Sequence, residues 1–315
     1  MDDAVSAFRA EVLATLGHAP ETIEPGRFHR FATRERRGDL AGWCKLFDDL
    51  RGGVFGCYRQ GVSDTWTAER EPMTRDQRAS FALKTTAATA ERAARDLSQR
   101  QEKARRVAEL WAQCVPLTAG DPVTQYLIRR GIGDVTQPDV LRLHRGVDYW
   151  ADREKLGTFP AMVAPIVGPD GRTVALHRTY LTREGCKADV PSPKKVTGAA
   201  GPLVGACIPL HKPARGVLGV AEGIETALAA YQASGVPTVA TYCASAMAGL
   251  VWPAGVQRLV IFADNDKAGR EAAAKLQSRA VRAGLQVSVM TPSEAGADWC
   301  DVWTGRGAVS LERAA

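Results

Sequence analysis

Short apolar runs alternate with longer amphipathic stretches through the last third of the chain. Gly216 to Ala221, Pro237 to Tyr242, Gln257 to Ala263 and Gln286 to Met290 are continuous enough in apolar residues to be buried strands. Between them, Ile224 to Ser234, Ser245 to Leu250 and Lys267 to Ala283 carry helical spacing, and Gly235 and Gly284 stand where two of these helices should stop. The order β-α-β-α-β-α-β predicts a mostly parallel sheet of about four strands with right-handed crossovers. The fold class is α/β for this part.

Upstream the period changes. Val140 to His144 alternates like a strand, and Ala161 to Val167 and Thr173 to Leu181 flank the turn Gly168-Pro169-Asp170-Gly171, which predicts a hairpin. Pro122 to Arg130 reads as a short helix ending at Gly131, and Lys187, Lys194 and Lys195 fall in a loop rich in Pro, Ser and Gly. From Thr74 to Cys114 there is neither proline nor glycine, and strong helix formers dominate, so one long helix or two consecutive ones are expected. Its polar side, with Arg92, Arg95, Arg100, Lys103, Arg105 and Arg106, suits either a solvated helix laced with ion pairs or contact with phosphates. Residues 2–17 read as an amphipathic helix, with Val5, Phe8, Val12, Leu13 and Leu16 on one face. The stretch after it, broken by Asp48-Asp49, Gly52-Gly53 and Gly61, predicts a small antiparallel sheet ending near Pro72. Four divisions result: a small β-rich N-terminal domain at 1–73, a basic helical linker at 74–115, a basic α+β subdomain at 116–214 and the α/β domain at 215–315.

Composition changes this picture little. The 315 residues are 45% hydrophobic and 24% charged, as in an ordinary globular protein. No apolar run approaches a membrane span, and the acidic start Met1-Asp2-Asp3 lacks the form of a signal peptide, so a cytoplasmic protein without membrane association is expected. The seven cysteines are scattered without any C-x-x-C pair, which argues against a zinc ribbon or a disulfide framework. The net charge of +6 is uneven: residues 1–115 carry +2, 116–214 carry +4 and 215–315 are neutral. The most basic part thus directly precedes the acidic strand ends, an order that suits a polyanion delivered to a metal centre. In the N-terminal region, aromatics alternate with Arg30, Arg34, Arg37, Lys45, Arg51 and Arg59. Trp43, Phe47, Phe55 and Trp66 can be a stacking platform for single strands or the core of the small sheet.

The chemistry concentrates at the strand ends. Asp264 and Asp266 follow the apolar run Leu259 to Phe262, at the carboxyl edge where open α/β sheets bind ligands. Two acids so close repel unless a proton or cation lies between them, and a hard divalent ion such as Mg²⁺ is the simplest answer. Glu222-Gly223 ends the first strand in the same way, and Asp298 and Asp301 follow the last, so five carboxylates are expected to converge at one edge. Asp266 can equally cap the following helix. Glu225 can join the metal shell or simply favour the helix N-terminus.

Glu-Gly after the first strand, Asp-x-Asp after a later one and a trailing acidic pair resemble the Toprim domain, shared by bacterial-type primases, type IA and II topoisomerases and some nucleases. Ala221 to Leu228 is similar to the form found in Toprim proteins of phages, plasmids and integrated elements. Further upstream, Tyr126-Leu127-Ile128-Arg129-Arg130-Gly131-Ile132 resembles the opening of the bacterial-type primase catalytic core. Phe159 to Ile166, Asp170-Gly171-Arg172 and Leu176 to Leu181 resemble its next hairpin, and Pro193-Lys194-Lys195-Val196 its lysine loop. The resemblance implies that Glu222, Asp264 and Asp266 are catalytic and hold Mg²⁺ or Mn²⁺, with Asp298 and Asp301 as accessory metal ligands. It implies nucleotide or DNA contacts for Arg178, Lys194, Lys195 and His177. Replicative primases carry a zinc ribbon near the N-terminus, but no zinc site is expected here, because Cys44 and Cys57 stand alone.

The function so implied is that of a DNA primase: a nucleotidyltransferase making short primers from nucleoside triphosphates on single-stranded DNA, with a replicative helicase as a possible partner. A Toprim nuclease and a non-catalytic single-strand- or helicase-binding accessory protein are the alternatives. No G-x-x-x-x-G-K-[ST] is present, so no helicase motor is expected. The chain ends soon after Asp301, so the helicase-docking domain of replicative primases is not expected either.

Overall fold

The structure is a computed structural model and describes residues 2–35, 38–68, 73–133 and 138–305. Arg37 and Pro72, named above, lie outside the described residues. The chain divides into two compact units, Met1–Ser98 and Gln99–Ala315.

In the first unit, α1 (Asp2–Leu16) buries Phe8, Val12 and Leu16 against a four-stranded antiparallel sheet of β1 (His29–Phe31), β2 (Gly42–Leu46), β3 (Gly52–Cys57) and β4 (Val62–Thr67). Leu13, expected on the packed face, is 45% exposed. Of the two readings of the aromatics, the core one holds for Trp43, Phe47 and Phe55, all buried. Gly56 shows how tightly the sheet is covered, because a Cβ there would lie 2.6 Å from the Trp43 ring and 2.2 Å from the Val62 carbonyl oxygen. The helix α2 (Arg75–Ala112) is one uninterrupted element of 38 residues. Its early turns bring Phe81 and Ala88 to Trp43, Phe47 and Val54. Arg92 and Arg95 lie over the Trp43 and Phe28 rings, and Arg30 over Tyr58. Of the basic residues that alternate with aromatics in sequence, Arg30 meets a ring, whereas Lys45 and Arg59 pair with Glu91 and Asp39.

In the second unit, β5 (Val115–Pro116), α3 (Pro122–Arg129), β6 (Arg142–Ala151), β7 (Glu154–Val167), β8 (Thr173–Tyr180) and β9 (Lys194–Val196) follow in order. The strands form one five-stranded antiparallel sheet in sequence order. The hairpin of β6 and β7 is much longer than the sequence pattern indicates. Asp152 and Arg153, at φ 47° and 71°, form its two-residue turn. Non-glycine residues at positive φ leave no turn signature of the usual kind. One face of this sheet packs on the last turns of α2 through Val107, Leu110 and Trp111.

The other face packs on the C-terminal α/β layer. There β10 (Val217–Ala221), α4 (Ile224–Ser234), β11 (Thr238–Ala240), α5 (Ala244–Gly249), β12 (Arg258–Phe262), α6 (Lys267–Arg282), β13 (Gln286–Met290) and the short α7 (Trp299–Trp303) form the expected alternation. The sheet is all parallel, in the order β11-β10-β12-β13. Ala221 is level with Ala240 and Phe262, and Phe262 with Met290, so the loops that follow these strands emerge at one edge. Residues 116–214 and 215–315, separated on hydrophobic pattern, share a core in which Tyr126, Leu127, Met162 and Ala164 meet Ile224, Leu228 and Phe262. Helix α7 was not expected from the sequence. Among the described residues no helix is long and apolar enough to cross a membrane.

Candidate active site

At the carboxyl edge of the parallel sheet, Glu222 and Asp264 open into a cleft whose other walls are Arg130, His177, Lys187, Lys194, Glu225, Tyr242 and Asp298. Each reaches it through a different element. Glu222 follows β10, and Gly223 after it is the N-cap of α4. Asp264 follows β12. Asp298 caps α7, Arg130 closes α3, and His177 and Lys194 project from β8 and β9.

Burial dominates the electrostatics. It pushes the Asp264 carboxyl up to about 7, and repulsion from Glu222, Asp298 and Asp266 adds to it. Its Oδ1 is buried and has no hydrogen-bond partner. Burial also raises Glu222, with Asp266 adding repulsion, while Lys194 and the Ala244 backbone N–H oppose it. An unpartnered buried carboxylate oxygen beside a second partly buried carboxylate is a costly arrangement, and a hard cation relieves it. The oxygen donors of Glu222 and Asp264 therefore fit a divalent metal.

The carboxylates share this edge, with Glu222, Asp264 and Asp298 lining the cleft, but they do not close into a tight cluster. Among the described residues, no three His, Cys, Asp or Glu side chains stand close enough together to hold a metal ion. Asp266 is exposed, and its Oδ1 accepts from Gly269 N at 2.7 Å, capping α6. Asp298 and Asp301 form a capping box on α7: Asp298 accepts from Asp301 N at 2.8 Å, and Asp301 accepts from Asp298 N at 3.4 Å. Arg130 lies 3.9 Å and 4.0 Å from these two carboxylates. Unfilled backbone N–H groups at a helix start compete for the same oxygens a metal would use.

The predicted cations separate by strand register. Arg178 pairs with Lys195 across β8 and β9, whereas Thr179 pairs with Lys194 and His177 with Val196. Alternation then places Arg178 and Lys195 on one face of the sheet and His177 and Lys194 on the other, toward the cleft. Lys195 lies over the Tyr149 ring at 3.9 Å and donates to the Trp150 carbonyl, and Arg178 lies over Tyr180 at 5.5 Å. His177 is 6% exposed; burial lowers it to about 4, so it is neutral at pH 7, and its Nδ1 has no partner.

Glu225 is the residue whose setting departs furthest from the sequence reading. It is buried, not at the exposed start of a helix. Its Oε1 accepts from the Tyr126 hydroxyl at 2.6 Å and its Oε2 from Lys194 Nζ at 2.9 Å. Burial alone would raise this carboxyl, but Lys194 and the Tyr126 hydroxyl outweigh it and hold it down at about 2. Sequence reasoning gave no role to Tyr126, Arg130 or Lys187. The first two lie inside the segment that resembles the primase core, which was the one available signal.

Residues 217–309 match the Toprim domain family, and residues 101–206 match a domain of unknown function (DUF7146). The C-terminal part of this chain is a Toprim domain, a class that generally binds divalent metal ions. Among solved structures, the chain is similar to a DNA primase domain from Pseudomonas aeruginosa, at 17% identity and TM-score 0.35, covering 52% of this chain and 53% of that one. It is similar to a DnaG primase catalytic domain bound to ssDNA, at 15% identity and TM-score 0.44, covering 68% and 78%. The zinc-binding and RNA polymerase domains of the Aquifex aeolicus primase align at 14% identity and TM-score 0.34, covering 97% and 83%. The chain spans about half the length of the Pseudomonas structure. No curated protein matches it.

Proposed function

We propose that the protein is a primase-type nucleotidyltransferase that joins nucleoside triphosphates on single-stranded DNA. The observation that carries this reading is the pairing, in one cleft, of cation-seeking carboxylates with anion-seeking side chains. Glu222 and the orphaned Asp264 Oδ1 form one wall, and Lys194, Lys187 and Arg130 line the others. A triphosphate with its metal presents both complementary charges.

Glu222 and Asp264, with Asp266 released from its cap, would hold Mg²⁺ or Mn²⁺. Held there, such an ion would supply charge neutralisation of the triphosphate and would favour ionisation of an attacking 3′-hydroxyl. Lys194 and Lys187 fix the phosphates by charge, and Arg130 does so through its fork of N–H donors. The accessory role expected of Asp298 and Asp301 becomes, on this reading, the holding of α7 and of Arg130. His177, neutral, offers a ring nitrogen to a nucleotide hydroxyl or base. Arg178 and Lys195, on the other face of the sheet, take no part in triphosphate binding.

The test is incubation of the full chain with single-stranded DNA, labelled NTPs or dNTPs and Mg²⁺ or Mn²⁺, resolved on a gel. Extended products that vanish in Asp264→Asn support the reading. A shortened template would replace it with a Toprim nuclease, in which water takes the place of the 3′-hydroxyl. Single-strand binding without either product would leave an accessory binding role.

A further inference from the structure

A carboxylate carried out of water is tolerated only with partners for its oxygens. Glu225 has both: the Tyr126 hydroxyl on Oε1 and the Lys194 ammonium on Oε2, at 2.6 Å and 2.9 Å. Its side chain is 5% exposed while that of Lys194 is 39% exposed. The pair is therefore lopsided, with a sequestered anion holding a cation that still faces the cleft. An ammonium has three N–H donors, and Glu225 occupies one of them. A lysine stem left free loses considerable rotamer entropy when it closes on a ligand, and a stem held in advance loses less. Both Glu225 oxygens are engaged, which sets it apart from Asp264, whose Oδ1 is unpartnered.

We propose that Glu225 is a positioning residue for Lys194 and not a metal ligand: anchored by Tyr126, it holds the lysine ready for the phosphates of an incoming nucleotide. This rests on the nucleotidyltransferase reading above. It ties α3, α4 and β9, three elements far apart in sequence, to one phosphate contact. Tyr126 and Glu225 act through Lys194 and touch no substrate themselves.

The test uses the full-length chain and two binding measurements. Affinity for ATP with Mg²⁺ is measured by isothermal titration calorimetry, and affinity for Tb³⁺, a luminescent hard-cation probe, by emission titration. Circular dichroism confirms folding of each variant. Glu225→Gln is expected to weaken ATP binding about tenfold, the loss of one charge-assisted contact, and to leave Tb³⁺ affinity within about twofold. Lys194→Ala should weaken ATP binding at least as much, and Glu225→Gln added to Lys194→Ala should cause no further loss. That non-additivity is a readout a purely structural ion pair would not give. Should Glu225→Gln not fold, Tyr126→Phe, which leaves the ion pair in place, is expected to weaken ATP binding by a smaller factor with Tb³⁺ binding unchanged. Weaker Tb³⁺ binding in Glu225→Gln or Tyr126→Phe would make Glu225 a metal ligand and overturn the proposal. Unchanged ATP affinity in the folded variant, or additive losses in the double variant, would overturn it as well. Absence of ATP binding in the unsubstituted chain would overturn the nucleotidyltransferase reading itself, and the positioning role with it.

Discussion

Asp264 should destabilise the fold it serves, and only a bound cation should remove that cost. Its carboxyl ionises near 3.8 in the unfolded chain and at about 7 in the folded one, because burial and three neighbouring acids oppose its charge. A group whose folded pKa is raised contributes fully to stability below its unfolded pKa and loses that contribution as pH rises through the folded value. The penalty therefore grows between pH 3.8 and about 7 and is flat above. It amounts to about 4 kcal/mol at pH 8, and partial access of solvent to the side chain brings it to roughly 2–3 kcal/mol. Asp264→Asn removes the ionisation but leaves an amide needing a partner, at about 1 kcal/mol whatever the pH. The expected signature is thus a difference: the variant's stability relative to the parent should be greater at pH 8 than at pH 5 by about 1–2 kcal/mol. Urea unfolding in EDTA, followed by tryptophan fluorescence, measures it; Trp299 lies edge-on to Phe262 beside the site. Millimolar Mg²⁺ should then stabilise the parent and not the variant. A gain independent of pH, or equal stabilisation of both by Mg²⁺, would refute the electrostatic reasoning.

Other expectations concern the same cleft. Lys194→Met strands the Glu225 charge and should cost about 3 kcal/mol at pH 7.5. In the parent, the depressed Glu225 pKa gives stability that is present above 4.5 and lost only as pH falls toward 2. In the variant, burial takes over and raises the carboxyl, so the deficit should shrink as pH falls from 7.5 to 5, a trend that urea midpoints at the two values test. Gly269→Ala places a Cβ 2.6 Å from the Asp264 carbonyl oxygen. It should destabilise the chain by about 1–3 kcal/mol and abolish Mg²⁺-dependent stabilisation, since the backbone carrying Asp264 must move. Lys195→Ala, on the far face of the sheet, should leave ATP affinity within about twofold of the parent where Lys194→Ala does not; equal losses in calorimetry would contradict the register argument. Asp298→Ala removes a helix cap and should cost about 1 kcal/mol in thermal unfolding.

The parallel layer was readable because its signals are local. Buried strands between helices leave continuous apolar runs, and the topology rules allow few ways to join them. The same logic puts Glu222 and Asp264 at one edge of the sheet. The long β6–β7 hairpin and α7 were not readable, the first for want of a recognisable turn pair and the second because five residues are too few for periodicity to show.

Residue order alone carries the alternation of the C-terminal layer, the acidic strand ends and the concentration of positive charge just upstream. Tertiary structure alone decided which charges face one another. Period-two alternation separates His177 from Arg178 and Lys194 from Lys195, but which face meets the acids depends on which face packs on α4 and β10. Position in the first turn of α4 says nothing of burial, and the hydroxyl that partners the buried Glu225, that of Tyr126, lies 99 residues earlier in the chain. In the fold Asp266, Asp298 and Asp301 are engaged by helix starts, an alternative use of the same carboxylates between which residue spacing does not choose. Charge type is written along the chain. Charge environment, which sets pKa and partner choice, is a property of distances through space.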